Sequence, residues 1–228
     1  KSLSMGEKVQ NNSKGCGGIM RVAPMALLDA GYASRNENTY SLEELAEAGG
    51  EIAVCTHKHP LGFLPASLLT VLLYKIVPMT AKQVQDEIDS IVADTVNVLD
   101  RIYKGKYDAD KRYLKELTGK AVRLAHSDIS DADAIRELGE GWVAEETWAI
   151  ALYCAIRHID SVEDAIIASV NHDGDSDSTG SVCGNIMGAI YGYEHIKKRN
   201  IFCPESTQLE NTLELSEIIL ALADDLST

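Results

Sequence analysis

One segment carries most of the information about this chain: Asn171-His172-Asp173-Gly174-Asp175-Ser176-Asp177-Ser178-Thr179-Gly180. Three carboxylates alternate with small residues, hydroxyl side chains follow them, and a run of small and apolar residues continues the chain as a helix. Carboxylate and hydroxyl oxygens are the hard ligands that Mg²⁺, Mn²⁺ and Ca²⁺ prefer. The segment therefore predicts a divalent metal site at the start of a helix.

Two other interpretations of this segment compete with the metal site. An EF-hand loop that begins at Asp173 needs glycine at its sixth position and glutamate at its twelfth. Ser178 and Gly184 stand there, so the EF-hand interpretation fails. A solvated loop that only caps the next helix remains open, because aspartate, serine and threonine are all good N-cap residues. The spacing alone does not decide between a metal loop and a capping loop.

The rest of the chain has the periodicity of α-helices, without the alternation expected of β-strands. A capping-box pattern that begins at Ser41 marks one helix start, and Thr80-Ala81-Lys82-Gln83 opens a second helix after Pro78. The sequence predicts an all-α protein that folds as one compact domain over residues 1–228. The predicted helices cover residues 41–55, 62–76, 80–103, 109–126, a short helix from 130, 144–158, a helix from 161, 179–197, and an amphipathic helix within 205–226.

Four glycines recur at every fourth position of the predicted helix that follows the acidic segment: Gly180, Gly184, Gly188 and Gly192. Glycine costs about 1 kcal/mol per position in a helix relative to alanine. Their register predicts that another backbone or a ligand approaches this side of the helix closely.

The composition excludes several classes of protein. The formal net charge is -14, which argues against binding to nucleic acid or to an anionic membrane, since both need basic surfaces. The five cysteines are scattered, form no CxxC pair and have no zinc spacing, so reduced thiols and a cytoplasmic location are expected. No apolar run approaches the length of a membrane span.

Two further polar segments are candidates for ligand contacts. Residues 11–18 form a glycine-rich loop that leads into an apolar segment, and such loops can wrap phosphate or ribose groups. Residues 56–62 place His57 and His59 between two helices, where they could bind a metal or a substrate. For residues 11–18, the alternative is a plain flexible loop. For the two histidines, the alternative is capping of a helix C-terminus.

Four segments carry a resemblance to a known family and occur in this order: residues 13–24, 56–62, 139–146 and 171–180. Through them the chain resembles the ADP-ribosylglycohydrolase family, which includes dinitrogen-reductase-activating glycohydrolases. The resemblance implies a compact orthogonal bundle of helices with two Mg²⁺ or Mn²⁺ ions in a cleft. It implies metal ligands at Asp175, Asp177 and Ser178. It also implies that ADP-ribose, or an ADP-ribosylated side chain, lies against these residues: Ser13, Lys14, Gly15, Cys16, Gly17, Gly18 and His57.

The chain departs from the family pattern in two places. Cys16 stands where the family often has asparagine. The family also takes metal ligands and an acidic catalytic residue from an N-terminal segment that does not occur after Lys1, so we expect a truncated or processed chain with little turnover of its own. Two hypotheses follow. One is a metal-dependent hydrolase that removes ADP-ribose, and the other is a non-catalytic family member that binds ADP-ribose or has a structural role.

Overall fold

The computed structural model describes residues 10–34, 39–199 and 214–227. Within these ranges the chain contains no β-strand and is built from one 3₁₀ helix and eleven α-helices. The 3₁₀ helix spans Cys16–Arg21. The α-helices are α1 Ala23–Ser34, α2 Leu42–Val54, α3 Pro60–Ile76, α4 Ala81–Ile102, α5 Asp108–Ala125, α6 Asp131–Leu138, α7 Ala144–Arg157, α8 Val162–Val170, α9 Ser176–Tyr191, α10 Tyr193–Arg199 and α11 Ser216–Ser227.

The capping box predicted at Ser41 is formed, and the helix start predicted at Thr80 has a capping box as well. Ser41 accepts a hydrogen bond from the backbone N–H of Glu44, while the Glu44 carboxylate accepts from the backbone N–H of Ser41. Thr80 and Gln83 make the same reciprocal pair at the start of α4. These bonds satisfy donors that the first turn of a helix otherwise leaves unpaired. The all-α prediction is confirmed.

Helix α3 forms the centre of the core. It packs against α1, α2, α4 and α7, and most of its residues from Leu61 to Ile76 are buried. The helix begins two residues before the predicted start at Gly62, because His59 serves as its N-cap and Pro60 occupies the first helical position. Proline is well suited there, since its missing N–H would have had no partner. A second layer, in which α7 packs against α5 and α9, completes the core.

The helix predicted over residues 179–197 is different in the structure. Helix α9 begins at Ser176, so Asp177, Ser178 and Thr179 lie in its first turn and Asp175 is its N-cap. It ends at Tyr191, because Gly192 adopts a left-handed φ of 74° and breaks the hydrogen-bonded ladder before α10. Glycine adopts this conformation at little cost, which explains why the break falls there.

The predicted close approach along the glycine register is confirmed only at its first position. A Cβ on Gly180 would lie 2.6 Å from Val170 Cγ1, so α8 passes close to α9 at that point. A Cβ on Gly184 would make ordinary contact with Ile166, and nothing lies within 4 Å of one on Gly188 or Gly192. The stripe is wrong as a continuous packing surface, because the close approach of α8 ends after Gly180.

The end of the chain and its hydropathy complete the description. The final amphipathic helix predicted within residues 205–226 appears as α11, which begins at Ser216, while residues 205–213 lie outside the described residues. Among the helices formed by the described residues, none has both the length and the apolarity needed to cross a membrane.

Two helical glycines provide a matched test of the packing. A Cβ on Gly49 would approach Thr70 Cβ to 2.8 Å and Ala66 O to 3.3 Å, so Gly49→Ala should lower the free energy of unfolding by about 1–3 kcal/mol. Gly188→Ala meets open space and should raise it by up to about 1 kcal/mol. Urea denaturation measures both. Equal stability of the two variants would contradict the close α2–α3 contact.

Candidate functional site

The acidic segment is held in place by backbone contacts with residues 139–141. The backbone N–H of Asp175 donates to Glu140 O over 2.7 Å. Gly174 lies directly against Glu140, since a Cβ there would come within 2.7 Å of the Glu140 carbonyl carbon. Gly141 also approaches closely, because a Cβ there would lie 2.9 Å from Thr179 Cγ2 and 3.3 Å from Asp175 O. Glycine at these positions therefore allows the two loops to touch.

Segment 139–141 is itself locked by α7. One carboxylate oxygen of Glu146 accepts the backbone N–H groups of Glu140 and Gly141, each over 3.1 Å. Thr147 donates its hydroxyl to Gly141 O over 2.7 Å. Neither side chain was predicted to belong to the site. Glu146 is the last residue of the motif of residues 139–146, and Thr147 follows it directly.

Asp175 joins the acidic segment to the glycine-rich loop. Its carboxylate is only 6% exposed, and the thiol of Cys16 donates to Oδ2 over 2.9 Å. The hydroxyl of Ser178, also buried, donates to Cys16 Sγ over 3.3 Å. Burial opposes ionisation of Asp175, but hydrogen bonds from Cys16, Asp177 and Ser178 outweigh it and lower its pKa. Burial, reinforced by Asp175, raises the pKa of the Cys16 thiol.

The carboxyl groups of Asp175 and Asp177 interact at the start of α9. A hydrogen bond with Asp175, together with its negative charge, raises the pKa of the exposed Asp177 carboxyl. Two carboxylates so close repel each other when both are ionised, and a bound divalent cation would remove that repulsion. With the Ser178 hydroxyl beside them, they form a set of hard oxygen donors that fits Mg²⁺ or Mn²⁺.

These three side chains alone would not complete the coordination sphere of a divalent cation. Within residues 10–34, 39–199 and 214–227, no group of three or more His, Cys, Asp or Glu side chains has an arrangement that could hold a metal ion. Asp173, in the same loop, is exposed and lines a neighbouring cleft of about 310 Å³ with His172 and Arg136. His172 contacts the hydroxyl of Thr179 over 2.9 Å.

The glycine-rich loop is ordered by backbone hydrogen bonds on both sides. Gly15 forms an isolated antiparallel bridge with Val143, and the N–H of Ala144 donates to Lys14 O over 2.9 Å. On the other side, the N–H of His59 donates to Ser13 O over 3.1 Å. The loop therefore lies between the starts of α3 and α7.

The imidazole of His57 packs against this loop. A Cβ on Gly17 would lie 3.2 Å from His57 Cε1, and one on Gly15 would lie 3.3 Å from Nε2. The absence of side chains at these glycines makes room for the ring. The loop residues and His57, all predicted ligand contacts, are thus brought together, and Cys16 brings the loop to Asp175.

Arg21 orients His57 through Thr56. Its guanidinium donates to Thr56 Oγ1 over 2.5 Å and to Ile52 O, at the end of α2, over 2.8 Å. Thr56 Oγ1 contacts His57 Nδ1 over 2.7 Å. Because the Thr56 oxygen accepts from Arg21, its own hydrogen can be donated to Nδ1, and we assign the ring proton to Nε2 on this basis.

The two histidines of segment 56–62 have different roles. The carbonyls at the end of α2 are satisfied by Arg21, so His57 is not their side-chain cap. His59 is a cap, but for the start of α3, where its Nδ1 accepts the Leu61 N–H over 3.0 Å. Burial, followed by the charge of Arg21, lowers the pKa of His57.

The fold and the site together define a class of protein. It is an all-α protein in which three polar loops meet at paired carboxylates, beside a histidine and a glycine-rich loop. The chain belongs to the ADP-ribosylglycohydrolase family, whose model matches residues 1–228.

Curated relatives agree with this family. The chain is 26% identical over 220 residues to human ADP-ribosylhydrolase ARH3. The aligned region covers 88% of the chain and 55% of the human protein. The mouse protein of the same name is also 26% identical over 220 residues, covering 88% of the chain and 54% of the relative. The zebrafish protein of the same name is 26% identical over 200 residues, and the aligned region covers 81% of the chain and 51% of the relative. The chain thus spans about half the length of these relatives.

The His57 environment predicts a measurable titration. The pKa of His57 should lie below the ordinary histidine value, and Arg21→Met should raise it toward that value, because one cause of the depression is removed. Since the folded pKa is lowered, the stability from neutral His57 is present above the unfolded pKa and is lost as the pH falls through the folded pKa. NMR titration of the imidazole gives both pKa values.

Arg136→Met is the matched control for this titration. It removes a guanidinium that pairs with Asp133 over 2.6 Å on α6 and does not appear among the causes of the His57 shift. The His57 pKa should be unchanged in this variant. A shift as large as that of Arg21→Met would mean that the proposed contact with Arg21 is not responsible.

Proposed function

We propose that this chain is part of a metal-dependent hydrolase that removes ADP-ribose from modified side chains or from related ADP-ribosyl compounds. One observation carries the proposal: the contact of Cys16 with Asp175 and Ser178, which joins the glycine-rich loop to the paired carboxylates. A ligand lying along this loop would meet the acidic site with its ribose end. The relatives are named ADP-ribosylhydrolases, which supports the same activity here.

Asp175, Asp177 and Ser178 are the residues that would hold the cation. Their donor set suits Mg²⁺ or Mn²⁺, and the family resemblance leads us to propose two ions in the complete site. When bound, such ions supply a Lewis acid that holds ribose hydroxyls and lowers the pKa of a water. The remaining ligands are not assigned to residues of this chain.

The residues of the glycine-rich loop and His57 would bind the ligand. In this proposal Ser13 to Gly18 lie along ADP-ribose, and the protonated Nε2 of His57 donates a hydrogen bond to one of its oxygens. Cleavage of an N- or O-glycosidic bond occurs at an anomeric carbon through a transition state with oxocarbenium character. Fixing the ribose before that step reduces the entropic part of the barrier.

The acidic residues provide a direct test of metal binding. We expect Asp175→Asn combined with Asp177→Asn to abolish Mn²⁺ binding measured by calorimetry, because both charged donors are lost while the side-chain shapes are kept. Asp173→Asn is the matched control, since it removes one negative charge from the same loop at an exposed position. Mn²⁺ affinity that is unchanged in the double variant would refute the ligand assignment.

Activity should be tested with the full-length gene product. In the presence of Mg²⁺ or Mn²⁺, we expect release of ADP-ribose from peptides that carry ADP-ribosylated arginine or serine, and loss of release in the Asp175→Asn, Asp177→Asn variant. No release with any divalent metal would contradict a hydrolase. Tight ADP-ribose binding without release would instead indicate a non-catalytic, ADP-ribose-binding member of the family.

A further inference from the structure

A partly buried ion pair links the glycine-rich loop to the start of α7. Lys14 Nζ is 2.5 Å from Glu145 Oε1, and the two residues are 131 positions apart in the chain. The Glu145 side chain is 1% exposed, whereas the Lys14 side chain is 43% exposed. The carboxylate is therefore enclosed in the protein, and the lysine reaches down to it from the loop. The family resemblance assigned no role to Glu145.

Glu145 depends on Lys14 for its charge balance. Its other oxygen, Oε2, is buried and has no hydrogen-bond partner among the residues that the structure describes. Burial raises the pKa of Glu145, and the hydrogen bond from Lys14 opposes that rise. A buried carboxylate with a single cationic partner holds that partner strongly, because separating the two would leave an uncompensated charge. The position of the Lys14 ammonium is thereby restricted.

The ammonium retains donors for a ligand. A lysine has three N–H donors, and the contact with Glu145 uses one of them. Arg21, the next basic residue along the chain, uses its guanidinium on Ile52 O and Thr56 Oγ1. Lys14 is therefore the cation that the glycine-rich loop presents, in a protein whose net charge of -14 disfavours anionic ligands at long range.

We propose that Glu145 is a positioning residue, which fixes the Lys14 ammonium at the glycine-rich loop so that it binds the diphosphate of an ADP-ribosyl ligand. This inference rests on the proposed function, because it assumes that the loop faces such a ligand. It specifies the ligand class more narrowly: the loop selects a phosphate-bearing ligand over a neutral nucleoside. Glu145 acts only through Lys14 and does not itself contact the ligand.

The test compares ADP with adenosine in calorimetric titrations of the full-length protein. Lys14→Met should weaken ADP binding by about tenfold or more, since a charge-assisted hydrogen bond is lost, and should leave adenosine affinity unchanged. Lys14→Arg should retain most of the ADP affinity. Lys58→Met, which removes an exposed charge beside His57, is the control and should bind ADP as the wild type does.

A double-mutant cycle separates positioning from a structural role. Glu145→Gln should weaken ADP binding in the wild-type background but have no further effect when Lys14→Met is already present. An equal effect in both backgrounds would overturn the inference, as would unchanged ADP affinity in Lys14→Met. A parallel loss of adenosine affinity would also overturn it, because the loop itself would then have collapsed. Circular dichroism confirms that each variant is folded.

Failure of the inference about Lys14 and Glu145 can be distinguished from failure of the hydrolase proposal. If ADP binds in a Lys14-dependent manner but no ADP-ribosyl compound is hydrolysed, the inference stands and the hydrolase proposal fails. If the full-length protein hydrolyses its substrate while Lys14→Met binds ADP as the wild type does, the hydrolase stands and this inference fails. A wild-type protein that binds neither ADP nor ADP-ribose contradicts the role of Lys14 directly.

Discussion

The buried carboxylate of Asp175 is the constraint on which the arrangement of the site depends. A carboxylate that is removed from water needs hydrogen-bond donors, and Asp175 takes one from Cys16 in the glycine-rich loop. Its backbone N–H in turn binds Glu140 O, in the segment before α7. One residue therefore joins three loops that are distant in sequence. Displacing any of these loops would leave Asp175 without part of its hydrogen bonding.

Close backbone contacts make this convergence possible. Gly174 lies against Glu140, and Gly15 pairs with Val143, so two loops approach the start of α7 from different sides. His57 fills the space that the glycines leave open. The site is thus a junction of rigidly packed loops on buried helices, which suits a function that requires a metal and a ligand to be held in a fixed relation.

Local rules in the sequence were sufficient for much of the fold. The capping boxes at Ser41 and Thr80 place the starts of α2 and α4 correctly, because both depend on residues within one helical turn. The start of α9 was wrong by three residues. Asp177, Ser178 and Thr179 all suit an N-cap, but Asp175 occupies that position. Its backbone N–H is tied to Glu140 O, and this tertiary contact is not visible in the local sequence.

The sequence predicted the segments that form the candidate site, but it did not predict the side-chain contacts that connect them. The sequence motifs identified the acidic segment, the glycine-rich loop and His57. They did not reveal that Arg21 orients His57 through Thr56, or that Lys14 pairs with Glu145. Lys14 and Glu145 lie 131 residues apart, and each looks like an ordinary surface charge until folding encloses Glu145. Pairings of this kind depend on tertiary packing, which no local pattern encodes.

In the proposed site, the paired carboxylates at the junction of the three loops hold a divalent cation. Crystals of the full-length protein grown with Mn²⁺ test this directly, because manganese can be located by its anomalous scattering. We expect an anomalous peak at about 2–2.5 Å from carboxylate oxygens of both Asp175 and Asp177. Full-length protein crystals that bind Mn²⁺ elsewhere, or that show no peak at these two carboxylates, would contradict it.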